Sequence, residues 1–232
     1  TIQLQPARST SKHNLGQLRK NKPVDMSRYK LVYFNAKGRA EIARILFAKN
    51  GVKYEDERFA VEGDEWAIYK KKNISKLPMG AVPVLEVDGN ILWQGPSISQ
   101  FLGKRFGMFG SNEFEESKVL SIILTMEDVV KIPFDIFEIQ NEEEKKFHTG
   151  KYKTKLPEYL GYLEKTVDGD GYFVGNKLTV ADIAFFVYRD FFDMSEATYD
   201  WKDYPKLCKV LTNVKSDPKI AEWLEKRPKT DL

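Results

Sequence analysis

The chain has a single cysteine, Cys208, among its 232 residues, which excludes an internal disulfide framework. No histidine lies near Cys208, so it reads as a buried structural thiol and not as a nucleophile. No apolar run approaches the roughly 18 residues that a membrane-spanning helix needs. Internal repeats and low-complexity tracts are absent as well. Charge of one sign is scarce: the net charge is +3, and even that is unevenly placed. Residues 1–28 hold Arg8, Lys12, Arg19, Lys20, Lys22 and Arg28 against Asp25 alone, a net of +5 that leaves −2 for the remainder. The body of the protein therefore lacks the basic surplus expected of a nucleic-acid binder.

A hydrophobic share of 42% and a charged share of 31% suit a globular chain with an ordinary core. Residues 1–27 have no periodicity and read as a flexible, solvated N-terminal extension. Structure begins at Tyr29-Lys30-Leu31-Val32-Tyr33-Phe34, where Leu31 and Tyr33 alternate with Lys30 and Val32 as in a strand with one wetter face. Gly38 then allows a tight turn, and Ala40, Ile42, Ala43, Leu46 and Phe47 repeat at helical spacing. Tyr33 thus sits near the carboxyl end of a strand, beside a helix start and Arg39, where α/β sheets dock ligands. A phenol there can donate to an anion with a guanidinium nearby to reinforce it. Taken alone, Tyr33 also fits a core aromatic whose hydroxyl has found a partner.

The same reading predicts a second strand over Tyr54 to Phe59, a short helix over Glu65 to Lys72, and a hairpin of Val84–Val87 with Ile91–Trp93 across Asp88-Gly89. A helix starts near Pro96, where proline is tolerated. Gly107 to Asn112 reads as a linker. Helices follow over Glu115 to about Lys131, with Pro133 kinking or ending the first, then over Pro157 to Thr166, Ile183 to about Phe192, Tyr204 to Ser216 and Lys219 to Lys226. Thr179-Val180-Ala181-Asp182 has the spacing of a capping box.

Three segments, Tyr33 with Gly38-Arg39-Ala40-Glu41, then Gly80-Ala81-Val82-Pro83-Val84, then Ile91-Leu92-Trp93-Gln94-Gly95, occur in an order and spacing that resembles the sigma class of glutathione transferases, which includes glutathione-dependent prostaglandin D synthases. The resemblance runs from Tyr29 to Leu232. It implies an α/β thioredoxin-like N-terminal domain (28–106) followed by an all-α C-terminal domain (113–232), assembled as a homodimer. It implies that glutathione is the co-substrate, or the cofactor of an isomerase reaction, and that a hydrophobic electrophile is the second substrate. Tyr33 and Arg39 match the catalytic residues that favour the thiolate. Trp66, Lys70, Val82, Pro83, Gln94, Gly95 and Asp128 match glutathione-binding positions, with Val82-Pro83 expected to be cis and Asp128 expected to reach the neighbouring subunit's ligand. Val130, Phe134, Tyr188 and Leu232 match the second-substrate pocket.

Departures from the pattern carry expectations of their own. Relatives place a serine at Gly95, so one hydroxyl contact to the γ-glutamyl carboxylate is missing and weaker glutathione binding is expected. An acidic position that some synthases use for a metal is Leu124 here, so no dedicated metal site is expected. The tryptophan that such synthases hold near Phe134 is absent. Asn73-Ile74-Ser75 is an N-glycosylation sequon. With the chain beginning at Thr1, it suggests a secreted glycoprotein, the alternative being the cytoplasm. The rival to an enzyme is a non-catalytic relative, crystallin-like or a ligand carrier, which the presence of Tyr33 and Arg39 argues against.

Overall fold

The computed structural model describes residues 27–193 and 199–230, without the side chains of Phe137 and Asp193. The N-terminal extension up to Met26, and the pocket position Leu232, lie outside the described residues.

Four strands form one mixed sheet in the order β2-β1-β3-β4. They are β1 (Tyr29–Phe34), β2 (Glu55–Phe59), β3 (Val84–Val87) and β4 (Asn90–Trp93). β1 runs parallel to β2, with Tyr33 opposite Arg58, and antiparallel to β3, with Leu31 opposite Leu85. Helix α1 (Glu41–Asn50) provides the crossover and ends on Gly51 at φ 64°, a left-handed cap that glycine adopts freely. α2 (Glu65–Asn73) leads back to β3, and α3 (Gly95–Phe106) closes the α/β domain.

The second face of β1 is not wet. Val32 is 4% exposed and packs with Phe59, Leu77 and Val84 beneath α2 and the turn that follows it. The alternation in sequence misleads because Lys30 shares that face, where its ammonium is paired with Glu55 at 2.9 Å and Glu57 at 2.8 Å.

Among the described residues five α-helices make the second domain: α4 (Glu113–Glu138), α5 (Glu142–Thr166), α6 (Val180–Asp193), α7 (Pro205–Ser216) and α8 (Pro218–Lys226). α4 continues through Pro133, so that proline does not end the helix. α5 begins fifteen residues before Pro157, in a stretch too charged to show a clear stripe. Its start is fixed by Asn141, whose side chain accepts from the Glu144 N–H at 3.0 Å. Tyr152, Leu156, Leu160 and Leu163 supply its buried face. The segment expected as a linker is anchored. Met108 and Phe109 are buried, and the Val180 N–H donates to the Met108 carbonyl at 2.9 Å. One continuous apolar cluster joins α1 and α3 to α4, α6 and α7, so the helical domain packs directly against the back of the sheet domain.

The carboxylate half of the capping box forms as the spacing predicts. The Asp182 carboxylate accepts from the Thr179 N–H at 2.7 Å, the Thr179 hydroxyl at 2.9 Å and the Phe173 N–H at 2.8 Å. The residue is fully buried, and that burial pushes its carboxyl up to about 6 against the pull of those three donors.

Candidate functional site

Tyr33, the residue before the end of β1, is half-buried at the mouth of the turn that precedes α1. Gly38 in that turn has φ 44°, and a Cβ built there would lie 2.6 Å from the Tyr33 hydroxyl oxygen. The absence of a side chain at Gly38 is therefore what lets the phenol approach the turn so closely. The Arg39 backbone N–H donates to the phenol oxygen at 3.3 Å. Among the described residues no acceptor takes the phenol's own hydrogen. Burial, as the largest influence, raises the Tyr33 pKa, opposed by the Arg39 N–H and by the charges of Arg39 and Arg44. At neutral pH the phenol is thus a neutral donor and not a phenolate base.

The Arg39 side chain turns toward the helical domain. Its Nε donates to Glu127 Oε2 at 3.2 Å, and the guanidinium lies 5.0 Å from the centre of the Phe134 ring. The Tyr188 hydroxyl donates to the other Glu127 oxygen. Burial is the main cause that holds the Tyr188 phenol well above its ordinary pKa, with the Glu127 charge adding to it. Glu127, a residue without an assigned role in the sequence, gathers this side of the site by meeting Arg39 and Tyr188. The signal was present: Glu127, Val130 and Phe134 lie at i, i+3 and i+7 on one helical face. Asp128, one residue on, is exposed on another face. Val130 and Tyr188 are fully buried and Phe134 half-buried, so among these three described residues Phe134 offers surface.

The other expected ligand positions lie beside the carboxyl end of β1: Val82-Pro83 enter the amino end of the antiparallel β3, and Gln94 follows the carboxyl end of β4. The Phe34 ring meets Trp66 edge-on at 5.6 Å. The Lys70 ammonium sits 5.7 Å over Trp66, and a Cβ at Gly80 would meet it at 3.3 Å. Lys70 therefore bridges α2 to the loop that carries Val82-Pro83, whereas Lys71 and Lys72 are exposed. The Val82-Pro83 peptide bond is cis. Gln94 is exposed and sits at φ 68°, a left-handed conformation that non-glycine residues rarely take. Such strained backbone clusters at ligand-binding positions. It aims the start of α3 so that the buried Gly95 opens the helix, with the Ile98 N–H returning to the Gln94 carbonyl at 3.0 Å. Among the described residues no group of three or more His, Cys, Asp or Glu side chains could hold a metal ion.

A Cβ on Gly95 would stand 3.4 Å from Glu127 Oε1 and 3.6 Å from the Arg39 carbonyl. There is room for a methylene, but a serine hydroxyl placed there meets an acceptor in Glu127 before it meets a ligand. One restored hydroxyl hydrogen bond would be worth ~0.5–1.5 kcal/mol if it reached the ligand, and competition from Glu127 reduces what Gly95→Ser can gain. We expect calorimetric titration to show a gain below about threefold for Gly95→Ser. A gain of tenfold or more would show that Glu127 does not compete for the hydroxyl.

Residues 29–104 match the family described as glutathione S-transferase, N-terminal domain, and residues 127–227 match glutathione S-transferase, C-terminal domain. The chain is 37% identical over 210 residues to a hematopoietic prostaglandin D synthase of Gallus gallus, covering 89% of this chain and the whole of that protein. It is 38% identical over 207 residues to glutathione S-transferase S1 of Drosophila melanogaster, covering 88% of this chain and 80% of that protein. A solved structure described as rat hPGDS complexed with a quinoline superposes with a TM-score of 0.77 at 32% identity, over 88% of this chain and all of the other. Sequence, sheet order and the turn that carries Tyr33 lead to one conclusion: the chain belongs to the glutathione S-transferase family.

Proposed function

We propose that this protein uses Tyr33 to hold glutathione as its thiolate and directs that sulfur at a lipophilic electrophile. The observation that carries the reading is the Tyr33 phenol itself. It is kept protonated by burial, fixed on Gly38 and by the Arg39 N–H, and its own hydrogen is uncommitted. A thiolate placed within reach would accept that hydrogen, and stabilising the anion raises the reactive fraction near neutral pH. Lowering a thiol pKa by about two units takes roughly 2.7 kcal/mol, and one hydrogen bond to a charged group supplies ~1.5–3 kcal/mol. Trp66, Lys70, the backbone of Val82 before cis-Pro83, and the start of α3 at Gln94-Gly95 are the groups we assign to the tripeptide. The helix N-terminus attracts its γ-glutamyl carboxylate. Arg39 and Phe134 face the electrophile, with Val130 and Tyr188 behind them.

Prostaglandin H is the special substrate to examine, with glutathione regenerated at the end of the cycle. The test is the purified protein with glutathione and, in parallel, an aromatic halide and prostaglandin H. A conjugate from the halide supports the transferase reading, and prostaglandin D from the second reaction supports the isomerase. Failure of both would sink the proposal.

We further propose a homodimer with α4 at its contact. Ser117, Ser121 and Thr125 fold their hydroxyls back onto carbonyls four residues earlier, at 2.8–2.9 Å, leaving a small-residue strip. Leu124 is exposed beside it, and Asp128 lies one turn further along the same helix. If Asp128 serves the neighbour's ligand, Asp128→Ala should weaken glutathione binding by ~1.5–3 kcal/mol while the bound thiolate still reacts. In heterodimers of Asp128→Ala with Tyr33→Phe, both defects then fall on one site. Such dimers should keep about half the wild-type activity, and activity far below half would place Asp128 in its own subunit's site.

No helix among the described residues is long and apolar enough to cross a membrane. Secretion is a finer reading that rests on the Asn73 sequon. Asn73 lies at the end of α2, its amide donating to the Tyr69 carbonyl at 3.1 Å, with exposed Ile74 and Ser75 beside it. A loss of mass on glycosidase treatment of the naturally expressed protein would support it. An unchanged mass would favour the cytoplasm.

A further inference from the structure

Helix α1 buries an arginine inside its apolar stripe. Arg44 is 0% exposed, a costly place for a charge unless every donor is used. Its Nη1 donates to the Ala36 carbonyl at 2.6 Å and reaches the Lys37 carbonyl at 3.4 Å. Nη2 donates to the Phe34 carbonyl at 3.3 Å, and Nε to Asp56 at 3.3 Å. One guanidinium therefore gathers three of the four backbone carbonyls between Tyr33 and Gly38, and its centre lies 5.9 Å from the Tyr33 ring. These carbonyls fix the turn on which the phenol rests and from which the Arg39 N–H projects.

The anchor extends further. Glu41 is also buried, and one of its carboxylate oxygens faces Arg44 Nη1 at 3.5 Å. The other accepts from Trp223 Nε1 at 2.8 Å and from Arg227 Nη1 at 2.9 Å. Trp223 belongs to α8 and Arg227 caps it. On the opposite side Asp56 is held by Arg58 at 2.8 Å, and Arg58 reaches Asn35 in the same turn at 3.3 Å. The turn is thus tied both to its own sheet and to the last helix of the second domain.

We propose that Arg44 is a positioning residue for thiolate formation, holding the Tyr33 phenol and the Arg39 N–H in register by gathering the carbonyls of Phe34, Ala36 and Lys37, with α8 keeping it in place through Glu41. This rests on the reading of Tyr33 as the residue that stabilises the thiolate. A lysine cannot substitute, because one ammonium on a flexible stem lacks the planar fork that spans several acceptors. Small displacements of groups that stabilise a reacting anion are costly to rate. They leave ground-state binding of the tripeptide, made through other residues, much less affected.

The test compares Arg44→Lys, Trp223→Phe and Tyr33→Phe as full-length proteins. Glutathione kinetics with an aromatic halide are measured, and the bound thiol is titrated by its ultraviolet thiolate absorbance. For Arg44→Lys we expect kcat to fall about tenfold with KM for glutathione changed less than about threefold, and the bound-thiol pKa to rise. Trp223→Phe should lower kcat about two- to threefold and raise the thiol pKa by less than Arg44→Lys does, since it removes only one donor to Glu41. A folded Arg44→Lys protein with an unmoved thiol pKa overturns the proposal, whatever its thermal stability. Should Arg44→Lys fail to fold, Trp223→Phe and Asp56→Asn decide by the same titration, and an unmoved pKa in both overturns it. If Tyr33→Phe itself leaves the thiol pKa unchanged, the functional reading of Tyr33 fails first. If Tyr33→Phe raises it and the Arg44 variants do not, only the role of Arg44 falls.

Discussion

Tyr33→Phe should lower glutathione conjugation at least about tenfold while leaving glutathione affinity nearly intact. The ring keeps its edge contact with Phe34 at 5.5 Å and its seat on Gly38. On the proposed reading, what is lost is the single O–H that would donate to a sulfur becoming anionic only after binding. A hydrogen bond to a charged group is worth ~1.5–3 kcal/mol, and ~1.4 kcal/mol is a factor of ten in rate. Removing an organised donor to a reacting anion commonly costs more, ~2.7–4 kcal/mol. The deficit should be largest near neutral pH and shrink in alkali, where free glutathione ionises without help. Steady-state kinetics across that range checks it, and turnover equal to wild type at neutral pH would remove Tyr33 from the mechanism.

Asp182→Ala should be the most damaging single change to stability away from the site. Three donors lose their acceptor at once: the N–H groups of Phe173 and Thr179 and the Thr179 hydroxyl. Each buried orphan costs ~1–3 kcal/mol, and allowing for relaxation we expect a loss of ~3–5 kcal/mol in urea unfolding. That is a large part of the ~5–15 kcal/mol that holds an ordinary domain together. A loss below about 1 kcal/mol would mean that the box is dispensable. The pH dependence has a definite sign. The folded-state pKa, about 6, lies above the unfolded value of 3.8, so the folded protein binds the extra proton between them. The stability from this group is fully present below about pH 4 and is lost as pH rises through about 6. Subtracting the curve of Asp182→Ala from that of wild type should isolate this decline.

Much of the fold was legible because local chemistry and tertiary structure agree. The hairpin at Asp88-Gly89, the start of α3 beside Pro96 and the box at Thr179–Asp182 are short-range devices, and each formed where its residues stand. α5 was half missed for the opposite reason. Its apolar face is thin and its first turns are charged, so packing against the other helices and the cap at Asn141 decide it, not a visible stripe. The passage of α4 through Pro133 is likewise a tertiary outcome. The faces of Val130 and Phe134 on either side are held by the core, which outweighs the missing hydrogen bond.

By itself the sequence determined that Tyr33 lies near the end of a strand beside a glycine turn, because alternation and a turn glycine are properties of neighbouring residues, while the resemblance to a known family marked Val82-Pro83, Gln94 and Gly95. Only the tertiary structure decided that Glu127 and not Asp128 turns toward Arg39 and Tyr188, that Lys70 bridges to the loop at Gly80, and that Arg44 is tied through Glu41 to α8. Those partners are 88, 10 and, for Glu41 with Arg227, 186 residues apart. A charged side chain shows its sign in the sequence but not its partner. Which carboxylate meets which guanidinium is set by how two helices from separate domains are pressed together by the apolar cluster between them.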